Sequence, residues 1–170
     1  MVEKCIIVLE QQAGLLRNYQ KYKNMILEII MTLGISVIFT ETPAVDCGNE
    51  LVNGCYETGT NTIYLKYEND NLDRTFYHEL GHAIFFEDDY SRTIIKDYPP
   101  LVNYCTEKKI ENYPSFTKYG NCEPHYDTEE NRLNERVANY FVEYIYNPNN
   151  FSVYNPVLYI YFRDKLNNIK

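Results

Sequence analysis

The segment His78-Glu79-Leu80-Gly81-His82 constrains the fold and chemistry of this chain more than any other feature. On an α-helix, residues four positions apart lie on one face about one turn from each other, so His78 and His82 can both reach a single metal ion. Glu79 then lies beside the metal and can take a proton from a bound water. The segment therefore predicts a helix that carries two zinc ligands and a general base.

The residues around this motif favour a helix over about residues 73–87. Asp73 is a suitable N-cap, and the apolar residues that follow Glu79 form a side next to the ligand side. Gly81 lowers helix stability but allows close packing. The chain has only 3 histidines among 170 residues, so two of them at this spacing are hard to attribute to chance.

The length and charge of the chain narrow the class of protein. A chain of 170 residues is long enough for one domain with a hydrophobic core and short for two, so we expect a single domain over residues 1–170. A net charge of −8 at pH 7 and scattered basic residues disfavour a nucleic-acid partner, because the phosphate backbone would repel the surface. No run of about 18 apolar residues and no signal-peptide pattern occurs, which predicts a soluble cytoplasmic protein without a membrane partner.

The cysteines indicate neither a disulfide framework nor a thiolate zinc cluster. They are 5 in number, an odd set, and none of them forms a C-x-x-C pair. We therefore expect all of them to be reduced. They are Cys5, Cys47, Cys55, Cys105 and Cys122.

Two kinds of apolar periodicity precede the motif. Between residues 12 and 33 apolar side chains recur at helical spacing, and Gly34 ends the pattern. Residues 35–40 are a β-branched run, and residues 61–67 alternate apolar and polar side chains as a half-buried strand does. These patterns predict an N-terminal helix and a small mixed β-sheet before the motif helix.

The part of the chain after the motif helix begins irregularly and ends in helices. Residues 89–127 show no sustained period and contain several prolines, which indicates an irregular insertion that faces the substrate. Thr128 is a suitable N-cap for a helix that Asn147-Pro148 ends. A last helix starts at Asn155-Pro156. Together the patterns predict an α+β fold whose C-terminal part is helical.

A catalytic zinc needs three protein ligands and an open position, so the motif requires a third ligand from elsewhere. Asp88 lies six residues after His82, the offset used when the chain turns sharply below the metal. That turn requires glycine at position 85, where this chain has Phe85, so we expect the helix to continue and carry Asp88 away from the metal. A solvated acidic helix end is then the simpler interpretation of Asp88 and its neighbours.

His125 and Glu135 are the other candidates for the third ligand. His125 is the only remaining histidine and would complete a three-histidine site, but it follows a proline in a segment without regular periodicity. Glu135 lies on a predicted helix, and Asn139 at i+4 on the same face could hold the outer nitrogen of a ligand histidine. Glu135 is therefore the best candidate, and a surface pair with Arg132 or Arg136 is its alternative role.

The segment Asn134-Glu135-Arg136-Val137-Ala138-Asn139-Tyr140-Phe141 resembles the second motif of the ImmA/IrrE-type metallopeptidases, E-x-x-A-N-x-F. It is more distantly similar to the NExxSD helix of thermolysin-like gluzincins. The resemblance extends to Gly54-Cys55-Tyr56, to the predicted strand from Asn61 and to Arg74 before the motif, and covers roughly residues 35–88 and 130–146. It implies a zincin-like fold with zinc bound by His78, His82 and Glu135, with Glu79 as the base and Asn139 behind a ligand histidine.

We therefore expect a zinc-dependent endopeptidase that hydrolyses peptide bonds in a protein or peptide substrate, with a zinc-bound water activated by Glu79. The oxyanion needs a further donor, and His125 is our choice among His125 and the tyrosines of residues 89–127. In zincin-like folds the substrate adds to an edge strand, which we expect to be residues 61–67. The alternatives are a metal-stabilised regulatory or interaction protein of zincin fold without turnover, a SprT-like protease with His125 as third ligand, and a hydrolase of another amide.

Overall fold

Helices dominate the described part of the chain, which comprises residues 19–41, 53–67, 71–98 and 128–169 of the computed structural model. Within these ranges six α-helices and three β-strands form a mixed α+β arrangement, as expected. The elements in chain order are α1 Tyr19–Leu33, β1 Ser36–Thr40, β2 Gly54–Glu57, β3 Thr62–Lys66, α2 Leu72–Phe85, α3 Asp89–Ile95, α4 Glu129–Tyr146, α5 Pro148–Tyr154 and α6 Pro156–Asn168.

The strands form one mixed sheet in the order β1-β3-β2. β1 pairs with β3 in parallel, with Ser36 opposite Thr62, and β2 pairs with β3 antiparallel, with Gly54 opposite Leu65. β3 is therefore the central strand, and β1 and β2 are the edges of the described sheet. The expectation that residues 61–67 form an edge strand is wrong, because β3 has a partner on both sides.

The alternation predicted for residues 61–67 is confirmed at the centre of β3 but is wrong at its ends, because Thr62 is only 4% exposed and Tyr67 is 50% exposed. Ile63 and Leu65 are fully buried, whereas Tyr64 and Lys66 are partly exposed. A strand with this pattern covers the core with one face while the other face remains in contact with solvent. The local sequence pattern thus predicts that one face of the strand is buried. It does not predict the position of the strand in the sheet.

Gly34 ends α1 as the sequence predicts. Its φ of +65° lies in the left-handed region, which glycine adopts without steric cost. The amide of Asn61 donates to the carbonyl oxygen of Leu33 at 2.7 Å, so the end of α1 is tied to the turn before β3. The predicted start of this helix near residue 12 lies outside the described residues.

α2 covers Leu72–Phe85, close to the range predicted around the motif. Asn71 is its N-cap residue, so the predicted N-cap Asp73 is wrong. Asp73 is buried in the first turn, where its carboxylate accepts a hydrogen bond from the hydroxyl of Tyr146. The expected continuation of the helix past residue 85 is also wrong, because Phe86 is the C-cap.

The segment after α2 is helical at its start. The side chain of Asp88 is the N-cap of α3 and accepts hydrogen bonds from the backbone N–H groups of Tyr90 at 3.1 Å and Ser91 at 3.3 Å. Asp88 is therefore not part of a solvated helix end, since capping and two contacts with α6 hold its carboxylate. The irregular insertion predicted over residues 89–127 begins with α3, and its part from residue 99 onwards lies outside the described residues.

The C-terminal helices follow most of the predicted boundaries. The hydroxyl of Thr128 accepts a hydrogen bond from the backbone N–H of Asn131 at 3.2 Å, which confirms the N-cap of α4. Asn147 ends α4 and Pro156 starts α6, both as predicted. The helix α5, which starts directly at Pro148, was not predicted, because its 7 residues are too few for a clear apolar period.

α2 packs between the sheet and α4, so the motif lies at a helix–helix interface. A Cβ atom added to Gly81 would lie 3.0 Å from Cα of Ala138, so glycine allows the expected close approach of α4. A Cβ atom on Gly54 would lie 2.5 Å from Cγ2 of Thr75, so β2 also lies close against α2. Side chains from the sheet and from all six described helices form the core. Its fully buried members include Ile26, Ile63, Leu80, Phe76 and Phe162.

Two expectations from the sequence concern the cysteines and membrane-spanning segments. Cys55 in β2 is disulfide-bonded, so the expectation of reduced cysteines is wrong for this residue; the other four cysteines lie outside the described residues. Among the helices of the described ranges, none combines the length and the apolar character needed to cross a membrane.

Candidate metal centre

The interface between α2 and α4 brings His78, His82 and Glu135 together. Nε2 of His78 is 3.1 Å from Oε2 of Glu135, and Nε2 of His82 is 3.1 Å from Oε1 of the same carboxylate. The two Nε2 atoms are 3.1 Å apart. The three side chains thus form a group that could hold a metal ion, and within the described part of the chain it is the only such group of His, Cys, Asp and Glu side chains.

The local pattern of each helix explains this convergence. His78 and His82 lie one turn apart on α2, and the intervening Leu80 and Gly81 are buried, so the two imidazoles share the face next to α4. α4 buries Val137, Ala138 and the other apolar side chains of its core face, and Glu135 lies at the margin of that face. Packing of the two apolar faces therefore carries the carboxylate to the imidazoles.

The spacing of the donor atoms fits a tetrahedral zinc ion. Bonds of about 2.1 Å from zinc to imidazole nitrogen or carboxylate oxygen place neighbouring donors about 3.4 Å apart at tetrahedral angles. The observed separations of 3.1 Å are close to that value. Two imidazoles and one carboxylate are also a ligand set of catalytic zinc sites, which keep a fourth position open.

Asn139 lies behind one of the imidazoles. Its Oδ1 atom is 3.1 Å from Nδ1 of His78, and it follows Glu135 by one turn of α4. When Nδ1–H donates to this oxygen, the lone pair of Nε2 points towards Glu135 and His82. Asn139 therefore selects the tautomer of His78 that can bind a metal through Nε2.

Glu79 lies beside the cluster and has only 7% of its surface exposed. Its carboxylate accepts a hydrogen bond from the backbone N–H of Tyr56 in β2. Burial raises the pKa of Glu79, and the neighbouring His78 and His82 partly offset this effect. A carboxylate with a raised pKa is suited to take up a proton and to return it.

Charge links the members of the metal-free cluster. Burial alone would lower the pKa of His78, but Glu135 opposes this effect and raises the pKa to about 9. Burial would raise the pKa of Glu135, but His82 and His78 hold it well below its usual range. The carboxylate therefore favours a cation in this position, either a proton on His78 or a metal ion that displaces it.

The remaining sequence candidates do not join this cluster within the described residues. Asp88 caps α3, accepts a hydrogen bond from Tyr161 and lies 2.9 Å from Nζ of Lys165, as part of a contact between α3 and α6. His125, expected as a second catalytic residue, lies outside the described residues. In the described part of the 89–127 segment, Tyr90 packs against Tyr161 and Tyr98 against Tyr140.

Two features next to the cluster were not found from the sequence. The hydrogen bond from Tyr56 to Glu79 uses a backbone group, and no side-chain pattern signals it. The ion pair of Arg74 with Glu143, one turn beyond His78 and Asn139, continues the four-residue spacing on both helices. Extending that spacing backwards from His78 and forwards from Asn139 would have found this pair.

The comparisons with known proteins add no family. No protein-family model matches this chain, and neither a curated protein nor a solved structure shows significant similarity to it. Functional inference therefore rests on the residues and geometry of the α2–α4 interface.

Proposed function

We propose that this protein is a zinc-dependent endopeptidase that hydrolyses peptide bonds in a protein or peptide substrate. The observation that carries the proposal is the convergence of His78, His82 and Glu135, with Glu79 buried beside them. A purely structural zinc site is closed by four ligands and needs no base, whereas among the described residues this group offers three ligands and an adjacent carboxylate. The donor set thus favours a catalytic role over a structural one.

The chain's own residues divide the chemistry between them. Zinc, when bound by the two imidazoles and Glu135, supplies a Lewis acid and lowers the pKa of water towards about 7. Glu79 takes the proton from the attacking water and returns it to the leaving amine. Asn139 holds His78 in orientation through Nδ1.

We place the substrate along β2 rather than along β3. The backbone N–H of Lys66 donates to the carbonyl of Asn53 at 2.9 Å, and in an antiparallel pair such bonded positions alternate with positions that point outwards. By this alternation the backbone groups of Gly54 and Tyr56 point away from β3, and the N–H of Tyr56 reaches Glu79. An extended peptide that pairs with this edge would lie next to the base.

The arrangement supports a gluzincin-type assignment within the zincin-like enzymes. The third ligand would be a glutamate from a separate helix, α4, rather than a residue just after the motif. This agrees with the resemblance of residues 134–141 to the second motif of the ImmA/IrrE-type metallopeptidases. Membership in that family is part of the proposal.

The test is proteolysis by zinc-loaded wild-type protein and by Glu79→Gln, with a fluorescently labelled unfolded protein as substrate. Loss of the general base should lower the cleavage rate by at least about 100-fold. The zinc content should stay unchanged, because Glu79 is not a ligand. Glu87→Gln, an exposed carboxylate just after α2, is the matched control and should retain the wild-type rate.

Cleavage by Glu79→Gln at the wild-type rate would contradict the proposed mechanism. A wild-type protein that binds zinc and cleaves no unfolded protein would favour the alternative of a metal-stabilised protein without turnover.

A further inference from the structure

The polar side chains of the α2–α4 interface form a series that extends beyond the metal cluster. Along α2 they recur every four residues, and along α4 they recur at the same interval. Because the two series run in opposite directions, each side chain of α2 meets one of α4 in order. The pairs are His82 with Glu135, His78 with Asn139, and Arg74 with Glu143.

Arg74 and Glu143 form the pair farthest from His82. The side chain of Glu143 is 0% exposed and that of Arg74 is 18% exposed, with Nη2 of Arg74 3.8 Å from Oε1 of Glu143. The other carboxylate oxygen accepts a hydrogen bond from the amide of Asn147 at 2.9 Å. The guanidinium carbon of Arg74 also lies 5.2 Å from the ring centre of Tyr146. A fully buried carboxylate thus faces a cation from the other helix.

This pair would penalise any sliding of α4 along α2. A shift by one helical turn, about 5.4 Å, would place Asn139 rather than Glu143 opposite Arg74, or would carry Glu143 towards His78. Either shift would leave a buried carboxylate without its cation, which is costly. The close contact between Gly81 and Ala138 fixes the distance between the helices, but such small side chains interlock little along the axis.

We propose that Arg74 and Glu143 are positioning residues that lock α4 in the register at which Glu135 meets His78 and His82. This register lock, the Arg74–Glu143 pair, acts one turn away from the metal cluster. The proposal rests on the metal site of the proposed function, but it makes a separate claim about what holds that site together.

The test compares zinc affinity with the stability of the metal-free protein. The dissociation constant for Zn²⁺ is measured by competition with a chromophoric chelator, and stability by thermal unfolding. Arg74→Met removes the cation that α2 places opposite the buried Glu143 and should lose both stability and zinc affinity. The double variant Arg74→Met/Glu143→Leu removes both charges, a replacement that often preserves stability. We expect it to unfold near the wild-type temperature but to bind zinc about tenfold more weakly or worse.

Wild-type zinc affinity in the double variant would overturn the register lock and leave the pair a purely structural contact. Arg74→Lys keeps a cation opposite Glu143 and should recover most of the zinc affinity that Arg74→Met loses; equal losses in both would also contradict the proposal. Lys165→Met, which removes the ion pair with Asp88 outside this interface, is the control and should keep the wild-type zinc affinity. An equal loss of zinc affinity in Lys165→Met would show that the loss reflects general destabilisation of the protein.

The same assay on His82→Ala separates this proposal from the proposed function. Unchanged zinc binding in His82→Ala would refute the metal site itself. Zinc binding lost in His82→Ala but retained in the double variant would refute the register lock alone.

Discussion

The two ends of the α2–α4 interface bury charge in different ways. At one end, Glu143 faces Arg74 and Asn147, so a carboxylate has its partners within the chain. At the other end, Glu135 faces His78 and His82, which compensate its charge only when one of them is protonated. At the first, closed end the charge of the carboxylate is balanced within the chain. At the second, open end the charge balance requires a bound proton or a metal ion.

In this small protein, the two ends of one helix–helix interface together build a cation site. At the closed end, the Arg74–Glu143 pair holds the two helices in a fixed relative position. At the open end, this position brings the three ligands His78, His82 and Glu135 together. A site on two packed helices is more precise than a site on loops, because each ligand is held by the core beneath it. Changes at the open end should therefore affect metal binding strongly and folding less.

The largest effect is expected from Glu135→Gln. This change keeps the size of the side chain but removes the carboxylate that faces both imidazoles. Zinc affinity should fall by more than about 100-fold, since even residues that only support ligands contribute about 10–100-fold. The measurement is the zinc dissociation constant by chelator competition. Glu129→Gln, an exposed glutamate at the start of α4, is the control, and equal affinities for Glu135→Gln and wild type would contradict the assignment.

A smaller loss of zinc affinity is expected from Asn139→Ala. The variant removes the acceptor 3.1 Å from Nδ1 of His78, so the ring loses its orientation but no ligand is lost. Zinc affinity should fall by about 10–100-fold, and the protein should stay folded. Chelator competition measures the zinc affinity, and thermal unfolding measures whether the protein stays folded. A loss as large as that of Glu135→Gln would mean that Asn139 does more than orient the ring.

Gly81→Ala should affect folding more than metal chemistry. The added methyl group would lie 3.0 Å from Cα of Ala138 and 3.2 Å from the ring of Phe141, so α4 must move slightly. Overpacking of this kind costs about 1–3 kcal/mol, which exceeds the gain in helix propensity from glycine to alanine. The free energy of unfolding in urea measures the effect. An increase in stability would show that the helices are less tightly packed at this point.

The pH dependence of the metal-free protein should separate the two ends. Glu135 raises the pKa of His78 to about 9, above its usual 6.5, whereas the pair at the other end, Arg74 with Glu143, contains no histidine. The His78–Glu135 contribution to stability is therefore complete below about pH 6.5 and is lost as the pH rises through about 9. We expect the Tm to fall over this interval and the zinc affinity to rise, because zinc displaces the proton.

The control for this pH dependence is His78→Gln, which lacks the titrating group. A fall in Tm of the same size in His78→Gln would assign the effect to another residue.

Much of the cluster was readable from the sequence, because its parts are local. The four-residue spacing of His78 and His82 is a property of any helix, and Thr128 marks the start of α4 through the chemistry of an N-cap. Glu135 was preferred as the third ligand because it lies on a predicted helix with Asn139 at i+4 on the same face. These inferences need only the period of one helix at a time.

Other features depend on relations between distant segments and were missed or misjudged. The edge position expected for β3 came from the zincin-like resemblance, but its neighbours on both sides come from residues 36–40 and 54–57, which local pattern does not reveal. Asp88 has the composition of an acidic helix end, yet it caps α3 and contacts α6. The disulfide of Cys55 is likewise not signalled by the odd number of cysteines.

The most direct test of the central claim is X-ray absorption spectroscopy at the zinc edge on the zinc-loaded protein. Zinc binding by His78, His82 and Glu135 predicts one zinc ion per chain with only nitrogen and oxygen ligands at about 2.0–2.2 Å. It also predicts an imidazole signal that decreases in His78→Ala. A sulfur ligand at about 2.3 Å, or a ligand shell unchanged by Glu135→Ala, would contradict it.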